Sequence, residues 1–203
     1  MPEDNYYFDY LIKTERFPQS LYHQAKHEMV SEMLQSLAPN SYILDAACGI
    51  GNITSKYCNS HFVFGIDEQF SAVRYCRLHH SGKYIQSSVY KTPFLDNIFD
   101  AVLFLDAIEH LHNPTKALEE LSRVIKPGGL ILVCTMNYES PLWTILEHTW
   151  HRFFGGKCKP YSKEVHPVQY NTKILRSHCN LFFKEICFRK RIMNMELFYI
   201  GKK

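Results

Sequence analysis

Residues 42–52 read Tyr-Ile-Leu-Asp-Ala-Ala-Cys-Gly-Ile-Gly-Asn, a short apolar run that ends at Asp45 and is followed by two glycines, Gly49 and Gly51. No other feature limits the fold of this chain as much. An apolar run entering a glycine turn and leaving it in a polar stretch has the pattern of a strand, a turn and the start of a helix. Glycine lets such a turn take positive φ and lets a ligand approach bare main chain. Parallel α/β folds hold nucleotide-like ligands at turns of this kind. The pyrophosphate-binding version wants a third glycine three residues after the second, and Thr54 stands there instead. A carboxylate at the strand end would also repel a diphosphate. The turn therefore suits a nucleoside that carries a positive group better than it suits NAD.

The following segments repeat the unit. Residues 62–67 (Phe-Val-Phe-Gly-Ile-Asp) form a second apolar run ending in a carboxylate, Asp67. An acid at the tip of the second strand can accept both hydroxyls of a ribose. Residues 100–106 are a third buried run, ending at Leu105 and Asp106 and followed by Ala-Ile-Glu-His. Asn113 then Pro114 is a helix start, because asparagine caps the free N–H groups and proline has none to lose. The spacing predicts a helix over 114–125 with Ala117, Leu118, Leu121, Val124 and Ile125 on one face. It stops at Lys126-Pro127-Gly128-Gly129, and 130–134 reads as a strand. Strands alternating with helices predict a doubly wound, mostly parallel α/β sheet with helices on both faces.

These pieces resemble a class I S-adenosylmethionine (SAM)-dependent methyltransferase of the small-molecule type, similar to the quinone-biosynthesis methyltransferases. The matching residues are 44–51, Gly65-Ile66-Asp67, Thr92-Pro93-Phe94 with Phe99-Asp100, Glu109-His110, and 123–129, in the family's order and at its spacings. The resemblance implies a Rossmann-like sheet of seven strands, the last antiparallel, and SAM as cofactor with S-adenosylhomocysteine (SAH) as product. It places Asp45, Ala46, Cys48, Gly49 and Gly51 along the methionine part and ribose of SAM, with Asp45 near the amino group and Asp67 on the ribose hydroxyls. Glu68, Gln69, Ser88, Val89, Leu105 and Asp106 complete the implied cofactor set. The family usually has an Asp where this chain has Ser88; a hydroxyl can accept the bond from the adenine amine, without charge assistance.

At 203 residues and 46% apolar composition, the chain suits one domain with a substantial core. Four parts are expected: an N-terminal lid or cap over 1–40 with a helix over 22–37, a SAM-binding core over 41–135, an acceptor-binding insert over 136–170, and a closing helix and strands over 171–203. Within the last part, a helix over 172–179 precedes strands at 182–188 and 195–200, with Met193-Asn194 in the turn. The acidic start shows no apolar leader, no run approaches the ~18 residues of a membrane span, and seven cysteines contain no Cys-x-x-Cys pair. Reduced thiols and a cytoplasmic location are expected.

Charge is unevenly placed. Residues 151–203 carry a balance of +9 and residues 1–150 a balance of −6. The basic end can attract an acidic substrate or an anionic membrane surface as a peripheral contact; nucleic acid is the alternative partner, and the chain is expected as a monomer or homodimer. Trp143, Leu146, Trp150, Phe153 and Phe154 recur at helical spacing over 141–154, which suits a cover for a lipophilic acceptor; 157–168 reads as a loop. If the acceptor is a hydroxyl, a histidine near neutrality can take its proton. Of His110, His112, His148 and His166, His110 is favoured because it follows the strand whose end faces the methyl group, and His166 comes second. Asp106, Glu109 and His110 fall within one turn, a donor set that hard cations accept. The Glu-His pair also stands in metal-free relatives, and no metal is assigned. The expected function is methyl transfer from SAM to a small, lipophilic or anionic acceptor, at oxygen. The alternatives are an RNA methyltransferase using the basic segment and a non-catalytic SAM-binding protein.

Overall fold

The computed structural model describes residues 19–148 and 165–203. Seven strands, β1 (Tyr42–Ala46), β2 (Phe62–Asp67), β3 (Lys83–Gln86), β4 (Phe99–Leu105), β5 (Ile125–Met136), β6 (Lys184–Arg191) and β7 (Glu196–Lys202), form one sheet of order β3-β2-β1-β4-β5-β7-β6. The first five are parallel, and β7 runs antiparallel between β5 and β6. Helices α1 (Gln19–Gln35), α2 (Phe70–His79), α3 (Pro114–Val124), α4 (Pro141–His148) and α5 (Thr172–Cys179) accompany it.

Both faces of the sheet are buried, and the period of two along each strand sorts residues between them. On one face Leu44, Val102, Phe104, Ile131, Val133, Leu197 and Tyr199 pack with α3 and α5. On the other, Ile43, Ala101, Leu103, Leu132, Phe198 and Ile200 pack under Met29, Val30, Met33 and Leu34 of α1. Asp45 has the parity of Ile43, so a carboxylate points into the α1 side of the sheet beside Gly65, its partner on β2. Side chains buried on both faces explain why these strands read as continuous apolar runs.

Local signals decided most boundaries. The Asn113 side chain accepts from the Lys116 N–H at 3.2 Å, and Asn171 caps α5 by accepting from the Ile174 N–H at 2.8 Å. Four expectations shift. The strand expected at 130–134 begins at Ile125, because Ile125 pairs with Phe99 before a four-residue bulge returns Leu130 to pairing with Ala101. The closing strands begin later and run further, with Ile192, Met193 and Asn194 all at positive φ in the turn. The polar stretch after Gly51 forms only a short 3-10 helix, Thr54–Tyr57. The expected helix over 22–37 starts and ends earlier, as α1.

Candidate functional site

The turn after β1 is built to expose main chain. Ala47, Gly49 and Gly51 have φ of 61°, 51° and 69°. Its backbone is tied on every side: Cys48 N–H donates to Ile66 O at 2.9 Å, Gly49 N–H to Asp67 Oδ2 at 2.8 Å, and Gly51 N–H to Cys48 O at 2.9 Å. From α2, the Cys76 thiol reaches Gly49 O at 3.3 Å, and the ring of His80, just past the helix, meets Ile50 O at 2.9 Å. Asp67 also accepts from Gln69 N–H through Oδ1, at 2.9 Å. A carboxylate accepting main-chain N–H groups this way makes strong, charge-assisted bonds. A side chain added at Gly49 would meet no atom within 4 Å, so the space beside that glycine is open.

That space belongs to a cleft of about 180 Å³ lined by Asp45, Ala47, Cys48, Gly49, Ile50, Asn52, Ile53, Leu105 and Asp106, with His23 and Lys26 of α1. Of the sequence-expected cofactor residues, Asp45, Cys48, Gly49, Leu105 and Asp106 meet there. Asp67, Glu68 and Gln69 sit together at the neighbouring tip of β2, and Gly51 closes the turn behind Gly49. Ala46 and Val89 are buried in the core of the α3 side. Ser88 accepts from the Tyr90 N–H at 3.3 Å and forms an isolated bridge with Lys91.

Asp45 is 4% exposed, and its Oδ2 accepts from the Thr54 hydroxyl at 2.6 Å. Burial pushes its pKa up to about 7, reinforced by the nearby charge of Asp67 and only partly offset by Thr54. The consequence for stability has a definite sign. Between pH 4 and 7 the unfolded chain has released this proton and the folded chain still holds it, so stability falls as pH rises and levels off above 7. The full effect of Asp45 is roughly 4 kcal/mol. Asp45→Asn cannot ionise. In urea melts it is expected to gain on the wild type progressively from pH 4 to pH 7; a constant difference across that range would contradict the assignment.

Sequence reasoning missed Lys26. Its ammonium reaches Asp106 and lies 3.6 Å from Glu196 Oε1. Burial alone would drive off its proton, but the two carboxylates outweigh burial and raise its pKa. Asp106 itself has φ of 48°, an uncommon conformation for a residue other than glycine, held by its N–H to Cys134 O at 3.0 Å. No local pattern connects Lys26 to a residue so far along the chain.

The two expected catalytic histidines come together. The His110 and His166 rings are 4.5 Å apart edge to face. His110 Nδ1 lies 3.0 Å from Val165 O, and the Tyr138 hydroxyl meets His166 Nδ1. His166 is buried, and burial followed by the neighbouring His110 lowers its pKa to about 4. Glu109, fully buried, is raised to about 8, first by burial and then by Asp106. Trp143 packs beside Tyr138, with ring centroids 6.2 Å apart. The side chains of Leu146, Glu147 and His148, and all of Trp150, Arg152, Phe153 and Phe154, lie outside the described residues. No described helix is long and apolar enough to cross a membrane.

A mostly parallel sheet of this order, with a glycine turn at the end of β1 and an acid at the end of neighbouring β2, is a Rossmann-like arrangement. Residues 44–133 match the family model described as a methyltransferase domain. The chain is 32% identical over 136 residues to the ubiquinone/menaquinone biosynthesis C-methyltransferase UbiE of Wigglesworthia glossinidia brevipalpis, covering 62% of this chain and 53% of that protein. It is 34% identical over 115 residues to a tRNA (carboxymethyluridine(34)-5-O)-methyltransferase of Arabidopsis thaliana, covering 54% of this chain and 27% of that one. The chain thus spans about half, or less, of the length of these curated relatives. Its fold repeats that of a chain in the complex between the Haloferax volcanii Trm112 methyltransferase activator and a methyltransferase, with TM-score 0.73 at 16% identity over 91% of this chain and 90% of that one. Residues 44–133 thus match a methyltransferase domain, and that match together with the fold implies SAM as the cofactor.

Proposed function

We propose that this chain transfers the methyl group of SAM to an oxygen of a small, lipophilic or anionic acceptor. The observation that carries the reading is the continuity of two sites: Asp106 lines the cleft beside the glycine turn, and its charge also reaches Glu109 and His166. In this reading Asp45, Cys48, Gly49, Gly51 and Asp67 hold the donor, with Asp45 near the amino group and Asp67 on the ribose. Glu68, Gln69 and Ser88 lie toward the adenine, while Leu105 lines the cleft and Ala46 and Val89 back it from the core. The acceptor enters over Tyr138 and Trp143, whose rings suit an apolar body, and its oxygen is readied for attack at Glu109, His110 and His166. With Nδ1–H of His110 donated to Val165 O, its Nε2 is the nitrogen that can accept a proton. Residues 1–40 act as the cap, residues 41–135 as the donor site, residues 136–170 as the acceptor cover and residues 171–203 as the closing edge. Chemistry then needs alignment and a dry site more than a strong base, because the reaction disperses the sulfonium charge.

The test is SAH release with a panel of phenols, catechols and hydroxylated quinone precursors, with the labelled methyl located in the product. SAH formation with the methyl on oxygen supports the reading. Label on carbon, as the C-methyltransferase relative's name would suggest, would overturn the oxygen assignment. A second reading, an RNA acceptor met by the basic C-terminal segment, is favoured by the tRNA methyltransferase relative. Several of those basic groups already have protein partners: Arg176 with Glu185 and Arg189 with Glu32. A steep loss of binding to unmodified tRNA with rising salt would support that reading instead.

A further inference from the structure

We propose that Cys48 and Cys76 are an oxidisable dithiol behind the glycine turn, and that peroxide closes it to a disulfide that weakens methyl-donor binding. Cys48 stands in the turn after β1 and Cys76 on α2. Both thiols reach the same main-chain atom, Gly49 O, at 3.6 and 3.3 Å. Two glycines make room for the two sulfurs. A Cβ added at Gly65 would lie 2.9 Å from Cys48 Sγ, and one added at Gly51 would lie 3.2 Å from Cys76 Sγ. Cys48 packs against Val73, Cys76 and Tyr84 in a small cluster separate from the two large cores. No local spacing announces the pair, because the fold carries α2 back onto the turn.

The two thiols differ in access. Cys48 is half-buried and lines the cleft, whereas Cys76 is fully buried. A small oxidant entering the cleft meets Cys48 first and finds Cys76 beside it, the arrangement of a sensor thiol and its resolving partner. The Cys48 sulfur attacks one oxygen of hydrogen peroxide; the O–O bond breaks, an S–O bond forms and one water leaves. The Cys76 sulfur then displaces the sulfenic oxygen, which leaves as a second water while the S–S bond forms. The two thiols lose two electrons and two protons, and the peroxide is reduced to water. The neighbouring Cys76 thiol first, and burial second, hold the Cys48 thiol protonated. Thiolate is the nucleophile, so the pair answers sustained oxidant and not a brief pulse.

Closure acts on the turn. In the reduced protein Gly49 is held at both of its main-chain polar groups, its N–H by Asp67 and its carbonyl by the thiols. The disulfide removes both S–H donors and draws Cys48 toward α2. Gly49 then loses part of its hold where its open side faces the cleft. A bound donor in turn covers Cys48 and shields it from oxidant. The inference rests on the donor site proposed above and adds its regulation.

Full chain treated with millimolar hydrogen peroxide, followed by peptide mapping and SAH titration, tests this. One Cys48–Cys76 disulfide per chain is expected, reversed by dithiothreitol and slowed by saturating SAH. The oxidised protein should bind SAH about tenfold more weakly, the equivalent of one hydrogen bond lost from the turn. In Cys48→Ser the SAH affinity should be the same before and after peroxide. Cys76→Ser should form no disulfide and leave Cys48 as a sulfenic acid that dimedone traps. Absence of the Cys48–Cys76 bond, pairing of either with another cysteine, or a disulfide that leaves SAH affinity unchanged would overturn the proposal. An equal loss of affinity in peroxide-treated Cys48→Ser would do the same. Protein that forms the disulfide but never binds SAH when reduced would sink the donor site and leave the dithiol chemistry standing.

Discussion

Gly51→Val is expected to abolish measurable SAM binding and to lower stability by about 3 kcal/mol, the sum of left-handed backbone strain and overpacking. Gly51 has φ of 69°, a conformation that β-branched side chains rarely adopt. Its added Cβ would lie 3.1 Å from the His80 ring and 3.2 Å from Cys76 Sγ. Those two side chains hold Ile50 O and Gly49 O. Pushing them aside releases the turn just where main chain is presented to the cleft. Gly51→Ala meets the same atoms with one carbon and should lose less on both counts. Thermal unfolding and calorimetric titration of the two variants read the effect. A Gly51→Val protein with wild-type affinity would contradict the role given to this turn.

Asp67→Ala is expected to weaken SAM binding about 100-fold, or roughly 2.7 kcal/mol, and to cost about 2 kcal/mol of stability. Asp67 accepts Gly49 N–H with one oxygen and Gln69 N–H with the other. Its second lone pairs remain open, and under the proposed reading they take the ribose hydroxyls, so that one carboxylate both shapes the turn and grips the ligand. Removing it leaves two N–H groups without their acceptor and the ribose without its partner. Asp67→Asn separates the two duties: its single carbonyl oxygen can keep one of these bonds but not both. Its affinity should fall between those of the wild type and the alanine variant. Affinity equal to the wild type in Asp67→Ala would contradict the assignment, while equal loss in both variants would point to charge as the whole effect.

The contrast between what was legible and what was not follows the distance over which each residue acts. Strands β1, β2 and β4 could be read because both sheet faces are buried and apolar runs mark them. The start of α3 could be read because Asn113 and Pro114 act on the next turn only. Gly49, Gly51 and Asp67 could be read as one cluster because they fall at neighbouring strand tips, and in the fold Gly49 N–H donates to Asp67. Thr54 was seen only as a missing glycine, and its hydroxyl instead holds the buried Asp45. The start of β5 was misread because Pro127, Gly128 and Gly129 signal a break, and the chain passes them as a bulge while Ile125 stays paired. Lys26 and His166 reach their partners across the fold, so nothing beside them in the chain announces it. Sequence placed the glycine turn; only the packed structure brought His110 and His166 together.

The central proposition is that two acidic strand tips and an exposed glycine turn bind the methyl donor. Isothermal titration of the full chain with SAH tests it most directly, because the product binds the same contacts without turning over. The account predicts one site per chain with micromolar affinity, weakened in Asp67→Ala and lost in Gly51→Val. Absence of heat with either SAH or SAM up to millimolar concentration, from protein that melts cooperatively, would contradict it.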